Sequence, residues 1–239
     1  MAQSPTIDPV SAQLAYYAAT AARYDEMHVG ENDEHYFALA IMMSFFEFLD
    51  IRSILDVGAG TGRALIDIKQ KYPSIRFVGV EPSSELRSQG QLKGLSPSEL
   101  VDGDAQQLAY KDGEFDMVCE FGALHHIPSP RRAVSEMLRV AKKAIFISDT
   151  NNFGQGSLAA RSIKQTINIL GLWPVANFLK TGGKGYSVTE GDGVSYSYSV
   201  FDQYQIIKHA CKSVHAMNTL DAGPNLYRSA AHIALLGIK

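Results

Sequence analysis

Apolar and polar positions along this chain fall into blocks that switch between strand length and helix spacing. Short apolar runs at about 53–57, 76–81, 100–104, 115–121 and 144–149 have the length of buried strands. Between them, residues 62–71, 83–91 and 129–141 carry their apolar positions at helical intervals. Ser129-Pro130 opens the last of these helices with a cap and a first-turn proline. Upstream, Asp8-Pro9 reads as another helix start, and Val10, Leu14, Tyr17, Ala21 and Tyr24 then share one face. The apolar stretch Phe37 to Leu49 is interrupted by Ser44 and Glu47 and falls short of the ~20 residues a membrane span needs. It predicts a core-packed helix leading into the first strand. Near the end, a helix (about 202–212) precedes two strands (about 213–220 and 228–237) that turn at Ala222-Gly223-Pro224. Strands alternating with helices predict an α/β fold, a doubly wound parallel sheet covered on both faces.

Residues 150–200 break the alternation. A helix at about 157–170 gives way to a segment with Gly182, Gly183, Gly185, Gly191 and Gly193 and the aromatics Trp173, Phe178, Tyr186, Tyr196 and Tyr198. A long irregular insertion in a compact domain is commonly a lid or a binding loop. Following the fifth strand, it is expected over the carboxyl ends of the strands, where open α/β sheets bind ligands. The chain thus reads as one domain, 1–239. Within it, 1–50 is a helical cover, 51–149 a nucleotide-binding core, 150–200 an acceptor lid, and 201–239 a closing helix and strands.

The chemistry is concentrated at the end of the first strand. The run Gly58-Ala59-Gly60-Thr61-Gly62 stops the strand sharply before helical spacing resumes at Ala64, Leu65 and Ile68. Glycine lets the backbone take left-handed dihedrals and press against a ligand. The dinucleotide fingerprint is G-x-G-x-x-G; here the third glycine comes one position early. The second strand ends in Glu81, about 20 residues beyond, where a carboxylate can accept from both hydroxyls of a ribose. No partner for a second phosphate stands nearby. A nucleoside without phosphates therefore fits better than NAD.

These residues resemble the class I S-adenosylmethionine-dependent methyltransferases. The resemblance runs in order through Asp56–Gly62, Val78–Glu81, Gly103-Asp104-Ala105, Asp112–Val118, Leu124–Ile127 and Glu136–Val140. Leu108-Ala109-Tyr110 departs from the Leu-Pro-Phe frequent in relatives, a change confined to a loop. The resemblance implies a Rossmann-like seven-stranded sheet, mostly parallel with an antiparallel last strand, and S-adenosylmethionine as cofactor. Asp56, Gly58, Ala59 and Gly60 would approach its amino acid and ribose portions. Glu81 and Pro82 would meet the ribose, Asp104, Ala105 and Gln106 the adenine, and Phe121 the methionine portion. Tyr16 and Tyr24 would close over that last end.

Methyl transfer chiefly requires a positioned nucleophile and exclusion of water. A hydroxyl acceptor must also lose a proton, and His125 and His126 are the candidate bases. Glu120, Asp149 and Asn151, with Trp173, Tyr196 and Tyr198 of the lid, are the candidate acceptor contacts. Some catechol-type relatives bind magnesium at places like Glu120, Asp149, Asn151 and Asn152, but one Glu and one Asp make a thin oxygen set. Hydrogen bonding within the pocket is the stronger reading, and no metal is expected. The function expected is methylation of a small molecule, at a hydroxyl first and at nitrogen or carbon next. A noncatalytic cofactor-binding protein is the alternative.

Composition narrows the partners. A net charge of −3 without a lysine and arginine cluster argues against nucleic acid. Cys119 and Cys211 show neither metal nor disulfide spacing. No basic region followed by an apolar run marks a leader, so the expected location is the cytoplasm. Nothing in the sequence addresses oligomeric state.

Overall fold

The computed structural model describes residues 8–30, 33–220 and 223–239. Its elements are α1 (Pro9–Thr20), α2 (Tyr24–His28), α3 (Glu34–Ser44), β1 (Ser53–Val57), α4 (Arg63–Lys71), β2 (Arg76–Val80), α5 (Ser84–Leu92) and β3 (Leu100–Val101). There follow β4 (Phe115–Phe121), α6 (Pro130–Val140), β5 (Ala141–Thr150), α7 (Leu158–Ile169), α8 (Trp173–Lys180), β6 (Tyr186–Thr189) and β7 (Gly193–Tyr196). The chain closes with α9 (Tyr204–Ala210), β8 (Ser213–Asn218), α10 (Leu226–Ser229) and β9 (His232–Ile238).

Seven strands form one sheet in the order β3-β2-β1-β4-β5-β9-β8. Strands β1 to β5 pair in parallel, and β9 runs antiparallel to both of its neighbours. The strand order reverses between β2-β1 and β4-β5, which opens a crevice at the carboxyl ends of β1 and β4. Because strand residues alternate between faces, β1, β4 and β5 feed two cores. Leu55, Val118, Ile145 and Ile147 join Val134 and Met137 of α6 on one side. Ile54, Met117 and Phe146 join Leu39 and Met42 of α3 and Ile68 of α4 on the other. The Phe37–Leu49 stretch thus supplies a core helix, although the helix itself ends at Ser44.

Several boundaries differ from the sequence expectation. β3 is only two residues long, since the chain at Asp104 turns back in an isolated bridge to Gln107. β5 begins at Ala141, directly on the end of α6. The N-terminal helix is broken by a 3-10 turn over Ala21–Arg23, so Tyr24 belongs to α2 and not to the face begun by Val10. Residues 150–200 hold more regular structure than expected. α8 starts with Pro174 in its first turn, and β6 and β7 form an antiparallel hairpin. The turn expected at Ala222-Gly223-Pro224 lies partly outside the described residues.

Candidate active site

Gly58 and Gly60 form the floor of the crevice. Both have left-handed dihedrals, with φ of 76° and 56°. A Cβ on Gly58 would lie 2.3 Å from that of Ala123, so only glycine fits between β1 and the loop after β4. Amides of Gly58 and Ala59 donate to the Val80 carbonyl at 2.8 and 3.1 Å, tying the loop to the end of β2.

Glu81 is buried beside this loop. One carboxylate oxygen accepts from the Gly60 amide at 3.0 Å and the other from the Ser83 amide at 2.9 Å. Burial raises its pKa to about 7 despite these donors. Asp56 is likewise buried, and burial lifts its carboxyl to about 7.

Two cavities open along the crevice. The smaller, of about 330 Å³, is bounded by Leu14, Val80, Leu86 and Ile127, with Glu81, Pro82, Asp104, Ala105 and Gln106 among its lining. Asp104 is exposed, and its carboxylate accepts from the Gln106 amide at 2.8 Å. The larger cavity, about 450 Å³, is polar and includes Asp33, Glu34, His35, Asp56, Ala59, Arg63, His125, Asp192 and His232. Tyr17, Tyr24, Gly58, Gly60, Phe121 and His126 line both, so the cavities meet above the glycine loop.

The turn of the β6–β7 hairpin stands at this junction, Asp192 lining the larger cavity. There Gly193 has φ of 69° and packs on α1, where the Gln13 side chain accepts from the Val194 amide at 2.5 Å. His126 Nδ1 donates to the Val194 carbonyl at 2.6 Å. Asp192 points inward, 3.4 Å from His126 Nε2 and 3.6 Å from His125 Nε2. His125 Nδ1 meets Asp149 at 2.7 Å. Burial opposes a charged imidazole at His125, but the carboxylates of Asp149 and Asp192 outweigh it and lift its pKa to about 10. Burial also opposes charge on Asp149, yet His125 pulls its carboxyl down to about 2.

The expected site residues therefore divide. Asp56, Gly58, Ala59, Gly60, Glu81, Pro82, Asp104, Ala105, Gln106, Phe121 and Tyr24 surround the cavities together with His125 and His126. Tyr16 is not among the lining residues; its ring packs under Gly193 and its hydroxyl faces His28 at 3.4 Å. Tyr17, one position on, lines both cavities. Both ring nitrogens of His125 face carboxylates, Asp149 and Asp192, which favour its protonated form.

The expected acceptor contacts are mostly engaged by other groups of the fold. Glu120 is fully buried, accepting from the Ala123 and Ser148 amides at 3.0 and 3.1 Å; burial and then Asp149 raise its pKa well above the usual carboxylate range. Asn151 spends its amide on the Tyr227 and Ala230 carbonyls at 2.9 Å. Tyr198 is buried in the core. Trp173 donates to Ser197 Oγ at 2.9 Å and packs on Phe153, and Tyr196 stacks across the hairpin on Tyr186. Neither cavity is lined by any of these five.

Sequence reasoning missed His35, His232 and Asp192. The rings of His35 and His232 meet edge to face with centroids 4.8 Å apart. Burial lowers the pKa of both, to about 3 at His232, leaving them neutral. His35 Nδ1 and His232 Nε2 are buried without a hydrogen-bond partner. His35 and His232 stand near opposite ends of the chain, and no local spacing announces them. Asp192 did have a signal, the Asp-Gly step of a short hairpin turn.

Residues 55–147 match the family profile described as a methyltransferase domain. Over those residues the chain is similar to S-adenosylmethionine-dependent methyltransferases. Among relatives, it is 33% identical over 127 residues to the phosphatidylethanolamine N-methyltransferase of Cereibacter sphaeroides, covering 49% of this chain and 61% of that one. It is 31% identical over 94 residues to the norajmaline N-methyltransferase of Rauvolfia serpentina, covering 38% of this chain and 32% of that one. The chain thus spans only part of the length of these relatives. In fold it is similar to the magnesium protoporphyrin IX methyltransferase of Synechocystis PCC 6803 with bound S-adenosylhomocysteine, at a TM-score of 0.63 and 17% identity over 97% of this chain and 100% of that one. A methyltransferase of Thermotoga maritima described as a possible histamine N-methyltransferase gives 0.59 and 19%, over 94% and 99%.

The site suits this family's cofactor. The glycine cradle admits close backbone approach, the apolar walls of the smaller cavity suit an adenine, and the Glu81 carboxylate is aimed at its floor with only amides as partners. S-adenosylmethionine, when bound, would supply an electrophilic methyl, and the glycine loop and Glu81 would be the groups to hold it.

Proposed function

We propose that this protein transfers a methyl group from S-adenosylmethionine to a small-molecule acceptor seated in the larger cavity. The observation that carries the reading is the meeting of the two cavities at Gly58, Gly60, Phe121 and His126. An adenosyl group in the smaller cavity would present its sulfonium methyl at that junction, facing the polar space under the lid. Asp192 and the His125–Asp149 pair would close the junction against water.

The acceptor is a polar molecule offering a hydroxyl or an amine. For a hydroxyl, His35 Nδ1 and His232 Nε2, buried without a partner, would accept its hydrogen bond and orient it, Thr219 holding the other nitrogen of His232. For an amine, the acidic residues Asp33, Glu34 and Asp192 around the same cavity would attract the protonated form, and two of the relatives are N-methyltransferases. Incubation with isotopically labelled S-adenosylmethionine and pools of hydroxylated or amino metabolites, followed by mass spectrometry, tests the proposal. It predicts a product carrying the labelled methyl and stoichiometric S-adenosylhomocysteine; cofactor binding with no transfer to any pool would favour a noncatalytic binding protein.

A further inference from the structure

Helix α7 is inside out. Its inward side is polar: Gln165 donates to the Phe153 carbonyl at 2.8 Å and to that of Arg228 at 3.1 Å. Arg161 donates to the Ser229 carbonyl at 3.2 Å, and Asn168 to the Tyr227 hydroxyl at 2.8 Å. Its outward side is apolar, and α8 continues that surface. Leu158, Ile163, Ile169, Leu170, Phe178 and Leu179 are all between 57% and 80% exposed. A helix on a water-facing surface places its apolar stripe against the core. Here polar anchors hold the pair down while aliphatic and aromatic side chains face outward, a patch of the kind that marks an interaction surface.

The charge of the segment selects the occupant. From residue 150 to 189 there is no Asp or Glu, while Arg161, Lys164, Lys180 and Lys184 give it +4. The whole chain carries −3, so everything outside the segment sums to −7. Lys180 and Lys184 are exposed; Lys180 directly follows Phe178 and Leu179, and Lys184 lies four residues further on. Trp173 stands half-buried at the start of α8. An apolar face, bordering lysines and a tryptophan at its edge are the composition of a helix that lies in a membrane interface. A second copy of this chain would bring the same positive charge against itself.

We propose that the α7–α8 pair docks this protein on the surface of an anionic phospholipid bilayer, its apolar side chains entering the interface and Lys180 and Lys184 meeting the headgroups. Among the described residues no helix is long and apolar enough to cross a membrane, so the attachment is peripheral. The pair follows the carboxyl end of β5, on the side of the sheet where the cavities open, and docking would hold the acceptor cavity near the lipid surface. This goes beyond the methyl-transfer reading and is tested without cofactor or acceptor.

Trp173 is the sole tryptophan of the chain and reports the contact directly. The untagged protein is mixed with vesicles of phosphatidylcholine alone, or with about a third phosphatidylglycerol, some carrying brominated acyl chains. The expected result is sedimentation with the anionic vesicles, a blue shift of Trp173 emission and quenching by bromine. Lys180→Gln and Lys184→Gln should each weaken binding about fivefold, the worth of one basic residue near a charged surface. Ile169→Glu and Leu179→Glu, exposed positions that leave the fold intact, should abolish it. Absence of binding to anionic vesicles overturns the proposal. So does a stable dimer in solution that Ile169→Glu or Leu179→Glu dissociates, which would assign the face to a second copy.

Discussion

Asp192 faces His125 across the closed end of the larger cavity, 3.6 Å from its Nε2, while Asp149 holds Nδ1 at 2.7 Å. One imidazole thus joins the hairpin turn to the end of β5. The arrangement makes His125 a charged fastener of the β6–β7 hairpin.

The expected consequence is a pH dependence of stability. The folded pKa of His125, about 10, lies above its unfolded value near ~6.5. Its contribution is therefore fully present below about pH 6.5 and fades as the pH rises toward 10. Asp149 has the opposite sign. With a folded pKa of about 2 against an unfolded ~3.9, its contribution is present above about pH 4 and is lost as the pH falls through 2. Thermal unfolding of the wild type and His125→Gln should differ most between about pH 4 and 6.5. The gap should narrow steadily toward pH 10. A gap independent of pH would show that His125 is held as a neutral ring.

Glu81 should tie cofactor affinity to pH. Its carboxyl has a pKa of about 7, and only the ionised form accepts from both ribose hydroxyls. Binding of S-adenosylhomocysteine should strengthen as the pH rises from 6 to 8, with protons released on binding. Glu81→Ala should cost about 1.5–3 kcal/mol, the scale of hydrogen bonds to a charged group, and remove the pH dependence. Calorimetry in two buffers of different ionisation enthalpy measures both effects. Unchanged affinity in Glu81→Ala would take the ribose away from this residue.

Tyr198 separates scaffold from pocket. It is buried in the core that includes Val200, Ile207 and Ile233, so Tyr198→Ala should destabilise by roughly 3–5 kcal/mol. Affinity for the cofactor should change by less than about 0.5 kcal/mol in the protein that remains folded, since Tyr198 lines neither cavity. Denaturant unfolding alongside calorimetry checks both. Intact stability with lost acceptor turnover would return Tyr198 to the acceptor site.

What the sequence disclosed, and what it did not, follows from how local each signal is. The glycine loop, Glu81 and Asp104 belong to short motifs whose backbone sets their geometry, and they reach the crevice as read. β1 and β4 are legible because both are short, predominantly apolar runs, broken only by Asp56 in one and by Asp116 and Glu120 in the other. The hairpin and α8 were obscured by glycines that serve as turn residues, with left-handed φ at Gly182, Gly183, Gly185 and Gly193. Aromatics there suggest a pocket, yet Trp173 packs on Phe153 and Tyr196 on Tyr186. His35, His232 and Asp192 reach the larger cavity only through tertiary contact, which no periodicity encodes. The inverted polarity of α7 was equally hidden: an amphipathic pattern tells which stripe is apolar but not which way it faces.

The measurement that bears most directly on the account is calorimetric titration of the protein with S-adenosylhomocysteine, S-adenosylmethionine and NAD. Glycine spacing, the Glu81 carboxylate and the nucleoside-sized cavity beside it predict saturable binding of the first two at one equivalent and no heat from NAD. Saturable NAD binding without any response to S-adenosylmethionine would contradict it.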